Sequence, residues 1–73
     1  MMPLTMIRPG NGGTIRRVLG QTEVRRHLAE MGFVEGETVT VVSAFSGNLI
    51  LQVKGSRVAL DHSMAGKIMV EPA

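Results

Sequence analysis

The spacing of apolar and polar positions changes period twice along this chain, and the changes mark its elements. Val24, Leu28 and Met31 stand at i, i+4 and i+7, one narrow apolar face that predicts a helix over about Thr22–Met31. Thr22 is placed to act as N-cap, and Glu23 lies where the positive end of the helix dipole favours a carboxylate. Gly32 can take the left-handed conformation that closes a helix. Beyond Gly36 the period falls to two. Thr38-Val39-Thr40-Val41-Val42 is β-branched throughout and predicts a strand reaching Phe45, with Val39 and Val41 on one face. Ser46-Gly47-Asn48 turns the chain into Leu49–Lys54, in which Leu49, Leu51 and Val53 share a face. Gly55-Ser56, with glycine first, predicts a two-residue connection of the type II′ kind into Arg57–Leu60, where Val58 and Leu60 point the same way.

The outer segments complete the pattern. Leu4–Ile7 is predicted as an opening strand, Arg8 to Gly13 as a turn cluster, and Thr14–Leu19 as a strand with Ile15 and Val18 inward. Because neighbours alternate on a strand, only one of Arg16 and Arg17 is expected to point outward. Asp61 or Ser63 can cap a helical turn near 61–65; Lys67–Val70 returns as the last strand, and Pro72 ends regular structure. A helix this short is marginal by itself and must lean on a sheet. With no repeat, linker or low-complexity tract, residues 1–73 form a single domain. The predicted fold is mainly β, a small antiparallel barrel of about five strands with one short α-helix, SH3-like in architecture.

Composition narrows the function classes. The chain has no cysteine, which excludes disulfides and thiolate metal sites and fits a reducing compartment. No apolar run approaches the roughly 18 residues needed to insert in a bilayer, and no signal segment opens the sequence, so the expected location is cytoplasmic. Phe33 and Phe45 are the only aromatics, so the core is expected to be aliphatic. The formal net charge of +2 comes from few acids set against arginines, concentrated only at Arg16-Arg17 and Arg25-Arg26. A nucleic-acid binder would carry more charge and stacking aromatics, so no nucleic-acid partner is expected.

No catalytic constellation is visible, and the chain is not expected to be an enzyme. Gly10-Asn11-Gly12-Gly13 has no long strand before it and no helix directly after it, so it lacks the frame of a phosphate cradle. Glu23, His27 and Glu30 lie at i, i+4 and i+7 and could present two carboxylates and an imidazole to a divalent cation; Asp61-His62 could add a second pair. The spacing is also what the polar flank of an amphipathic helix gives without any ligand. No cofactor is expected beyond weak divalent-metal binding at these positions. The six methionines read as core filling or adaptable surface.

Leu28-Ala29-Glu30-Met31-Gly32-Phe33, followed by Gly36 and a strand, resembles the ferrous iron transport protein A (FeoA) family. In that family a helix ends in Leu-x-Glu-Leu-Gly, then a hydrophobic residue, then Pro-Gly. Leu4 through Ile15 resembles the family's opening, and Val58-Ala59-Leu60 with Ala65 and Ile68-Met69-Val70 its closing pattern. Glu35 stands where the family usually has proline, and His27 where it often has arginine. The resemblance implies an SH3-like docking module in bacterial ferrous iron uptake, with a FeoB-type membrane transporter carrying a cytoplasmic GTP-binding domain as partner. The expected contact is the helix C-terminus and the loop after it: Met31, Phe33 and Val34, bordered by Arg25 and Arg26; the other reading of Phe33 and Val34 is that they turn inward and plug one end of the barrel. The alternatives are an SH3-like module of an iron-dependent metalloregulator and a small nucleic-acid-binding barrel. Edge strands left unpaired in so small a barrel also invite self-pairing into a homodimer.

Overall fold

Helix α1 runs Thr22–Glu30 and is closed by glycine, as the pattern requires. Gly32 sits at φ 106°, its N–H donates to the Ala29 carbonyl at 2.9 Å, and the Phe33 N–H donates to the Leu28 carbonyl at 3.0 Å. These two bonds form a Schellman motif, whose reversal brings the residue after glycine back against the last helical turn. Phe33 is therefore folded onto the same side as Leu28, and both are buried. At the other end the cap differs from expectation. Gln21 holds the extended N-cap position without a side-chain bond, and Thr22 Oγ1 instead accepts from the Arg25 guanidinium at 3.4 Å.

The computed structural model describes all residues from Met1 to Ala73. Six strands build one antiparallel sheet: β1 (Met2–Pro3), β2 (Gly12–Val18), β3 (Thr38–Phe45), β4 (Asn48–Val53), β5 (Ser56–Asp61) and β6 (Ile68–Pro72), in the order β1-β6-β2-β3-β4-β5. The expected opening strand over Leu4–Ile7 is instead a 3₁₀ turn at Leu4–Met6, and the extra strand is the short β1 before it. Leu4 and Ile7 are both buried, and a spacing of three puts them on one side of a 3₁₀ turn but on opposite faces of a strand. Met6 between them is thrown out to solvent.

The expected turn through Gly13 also ends early. Gly12 and Gly13 belong to β2, where Gly13 is paired to Val39 on one side and Pro72 on the other. A Cβ on Gly12 would overlap the Val39 carbonyl oxygen, and one on Gly13 the Glu71 carbonyl oxygen. These glycines serve close backbone approach at the strand shared by both halves of the sheet.

Two irregularities re-aim side chains. Against β6 the register of β2 shifts between Ile15 and Arg17, so Arg16 is an extra residue. The shift lets Ile15 and Val18 both face inward and leaves Arg16 and Arg17 both exposed, where strict alternation had allowed only one. Against β4 the register of β3 shifts between Val41 and Ser43. Both hairpin turns have positive φ at two central residues, Ser46-Gly47 and Lys54-Gly55, which is the type I′ geometry. The second turn thus begins one residue earlier than the type II′ reading placed it.

Helix α2 (His62–Ala65) follows β5, and Asp61 Oδ1 caps it by accepting from the Met64 N–H at 2.8 Å. The buried core is Phe33 set among Leu, Ile and Val from every long strand, with Leu4, Ile7, Leu28 and Ala65 added from the 3₁₀ turn and the helices, and it contains no buried polar or charged residue. Val24 and Met31 flank Leu28 as half-buried shoulders of α1. No helix is long and apolar enough to cross a membrane.

Candidate functional site

Of the two readings of Phe33 after α1, the structure takes the inward one. Phe33 is 1% exposed and cannot touch a partner. The cause is the Schellman reversal, which uses the aromatic to cover Leu28 instead of presenting it. Met31 and Val34 are half-buried, while Arg25 and Arg26 remain on the exposed side of α1. The loop beyond is pinned to β2, with the Gly36 N–H donating to the Ile15 carbonyl and the Ile15 N–H donating to the Glu37 carbonyl, each at 2.8 Å. What is left there is a basic helix face over a fixed loop, without an aromatic anchor.

Glu23, His27 and Glu30 project into solvent from α1, and His62 lies at the start of α2. Nowhere do three histidine, aspartate or glutamate side chains come together to hold a metal ion. Spacing along one exposed helix aligns donors roughly, but a tight site also needs a ligand from a facing element, and none faces these residues.

A different surface carries the features of a contact site. A concavity of about 290 Å³ lies between the 3₁₀ turn, the tip of the β3–β4 hairpin and α2, lined by Thr5, Ile7, Phe45, Asn48, Leu49 and His62 among others. Phe45 is 56% exposed on its rim, and Met6, beside the lining residues Thr5 and Ile7, is 66% exposed. His62 is the one residue in the wall with an ionisable side chain, and its backbone N–H donates to the Gly47 carbonyl at 2.8 Å, tying α2 to the hairpin tip.

The position of Phe45 follows from hairpin geometry. A two-residue turn at Ser46-Gly47 sets Phe45 opposite Asn48 and Ala44 opposite Leu49. Leu49 faces the core, so its neighbours on the ladder, Asn48 and Phe45, face out. Val39 and Val41 must still face in, and the extra residue at Val42 reconciles the two demands. Reading the turn as three residues, Ser46 to Asn48, concealed this. The legible signal was Ser-Gly directly before an alternating strand, which specifies a two-residue loop and hence the side on which Phe45 lies.

Residues 2–72 match the model of the FeoA domain family, nearly the whole length of the chain. The chain belongs to the FeoA family. FeoA proteins are accessory proteins of ferrous iron transport, and this chain is similar over its full length to a Methanocaldococcus jannaschii protein named as a candidate Fe(2+) transport protein A. The two are 30% identical over 73 residues, covering 100% of this chain and 89% of that one. The fold is also similar to a crystal structure of an iron uptake regulatory protein, FeoA, at 33% identity and TM-score 0.92, covering 99% of this chain and 96% of the other. A Stenotrophomonas maltophilia FeoA complexed with zinc, described as a prokaryotic SH3 domain protein, matches at 30% identity and TM-score 0.84, covering 97% and 91%. The FeoA helix ending quoted above, Leu28 to Phe33, is the Schellman motif itself, so in this chain those residues carry the closure of α1 onto the core.

Proposed function

We propose that this FeoA-family chain is a cytoplasmic docking subunit that binds the cytosolic region of a FeoB-type ferrous iron transporter and modulates its assembly or GTP-dependent activity. The single observation that supports a docking role is Phe45. The fold buries one of its two aromatics completely and holds the other on the rim of a concavity, on the outward side of the β3–β4 hairpin tip. Exposed aromatics beside a partly apolar hollow are the usual anchors of protein interfaces. In this reading the anchor is Phe45 with Met6, and the Arg25-Arg26 face of α1 is at most a rim.

The test is titration of the chain into the purified cytosolic GTP-binding region of the transporter, with GTP hydrolysis followed in parallel. Phe45→Ser is expected to weaken binding by about tenfold or more while the thermal midpoint stays nearly unchanged. Arg25→Glu with Arg26→Glu is expected to act several-fold less. If the arginine pair abolishes binding and Phe45→Ser does not, the contact is on α1 and the hairpin assignment fails. If hydrolysis and transporter assembly are both indifferent to the bound chain, modulation fails while docking stands.

A further inference from the structure

Strand β5 is an edge of the sheet, bonded to β4 on one side and to no strand on the other. Which of its backbone groups are free follows from the hairpin that precedes it. Around the two-residue turn Lys54-Gly55, Val53 and Ser56 exchange both ladder bonds, and the alternation then assigns Val58 to Leu51 and Leu60 to Leu49 in the same way. The His62 N–H to Gly47 carbonyl bond continues that alternation by one more step. Arg57 and Ala59 consequently aim their N–H and C=O groups away from β4, and no backbone bond outside the ladders uses them. Asp61 aims its N–H the same way. Their side chains lie on the outer face, opposite Gln52, Ile50 and Asn48, and all three are exposed.

We propose that this edge is a self-association surface, on which a second copy of the chain pairs antiparallel through β5, with Ala59 on the two-fold axis. The charge pattern selects that register. Centred on Ala59, Arg57 of each copy stands directly opposite Asp61 of the other, giving two symmetric acid–base pairs on the outer face. Centring on Arg57 or Asp61 sets like charges against each other, and centring on Val58 or Leu60 leaves the charges facing Ala59. Nothing bulky obstructs the axis, since Ala59 meets Ala59. Both charged groups have capacity left. Arg57 Nε donates to Gln52 Oε1 at 3.3 Å, leaving its terminal nitrogens, and Asp61 spends Oδ1 on the α2 cap, leaving Oδ2. On the inner face the half-buried Val58 gains cover from Leu60 of the second copy. No residue of β5 lines the Phe45 concavity, and the two surfaces adjoin at Asp61, which stands opposite the lining residue Asn48.

Sedimentation equilibrium of the intact chain, up to about 1 mM and at low and high salt, tests this. The expected result is a monomer–dimer equilibrium that weakens as salt rises, because the exposed ion pairs are screened. Ala59→Pro removes an N–H that β4 does not use and is expected to give a folded monomer at every concentration. Arg57→Glu sets acid against acid and is likewise expected to abolish the dimer. Asp61→Asn keeps the α2 cap and is expected to weaken pairing several-fold with a flatter salt dependence. A monomer throughout the range for the unaltered chain overturns the proposal, and so does a dimer that survives Arg57→Glu unchanged.

Discussion

The two phenylalanines offer a direct test of the packing, because identical chemistry meets opposite environments. Phe33 is 1% exposed behind the Schellman turn, whereas Phe45 is 56% exposed at the hairpin tip. Truncating a buried phenylalanine to alanine costs about 3–5 kcal/mol, the lost transfer free energy plus the unfilled cavity. A domain of 73 residues has about 4–11 kcal/mol in total, at roughly 0.05–0.15 kcal/mol per residue. Phe33→Ala is thus expected to remove between about a quarter and all of the stability, with partial unfolding at room temperature if the total lies near the lower bound. Phe33→Leu keeps most of the volume and is expected to cost about 1.5 kcal/mol or less. Phe45→Ala falls among ordinary surface changes, within about 0.5 kcal/mol. Urea denaturation followed by far-ultraviolet circular dichroism measures all three, with the slope against denaturant checking that the unfolded states are comparable. A loss below about 1 kcal/mol for Phe33→Ala, or a larger loss for Phe45→Ala than for Phe33→Ala, would refute the assignment of which aromatic supports the fold.

Other outcomes follow from the same geometry. Gly32→Ala is expected to cost about 1–2 kcal/mol through its positive φ alone, since the added Cβ meets Val53 at an ordinary 3.5 Å; Gly32→Asn should cost less in the same melt. Gly13→Ala is expected to cost about 1–3 kcal/mol, and hydrogen exchange should show the loss localised to the β2–β6 ladder, where the Glu71 carbonyl must move. Asp61→Ala removes the α2 cap and should cost about 1 kcal/mol, while Asp61→Asn stays near neutral, both read by thermal denaturation. Zinc titration followed by NMR is expected to perturb His27 and His62 independently and only at millimolar metal, because no third donor converges on either; a shared, tight transition would contradict this.

Much of the architecture was legible in the residues. The β-branched run from Thr38, the alternation of Leu49, Leu51 and Val53, and the i, i+4, i+7 face of α1 each specify an element by burial alone. Gly32 and Asp61 mark helix ends through backbone chemistry that is local and readable. What escaped was set by contacts between distant segments. A spacing of three at Leu4 and Ile7 fits a 3₁₀ turn as well as it fits a strand, until the core reveals that both are inside. Gly12 and Gly13 look like a turn, because their cause is the approach of β3 and β6 from elsewhere in the chain. The candidate site suffered most. Phe33 next to Val34 looks like a surface pair only if the helix end is treated as a stop, whereas the Schellman bonds make it a fold-back. Phe45 draws no attention in the sequence, because the side on which it lies is set by its pairing with Asn48 across the turn.

The extra residue at Val42 uncouples the two ends of β3. The faces of Ala44 and Phe45 are held by the tight turn and by their partners on β4, and those of Val39 and Val41 by the interior, so loss of the one residue between them is absorbed where it stands. A one-residue change of length at that point is therefore silent for the lip of the concavity and for the interior alike, whereas a change of length in the Ser46-Gly47 turn would move Phe45.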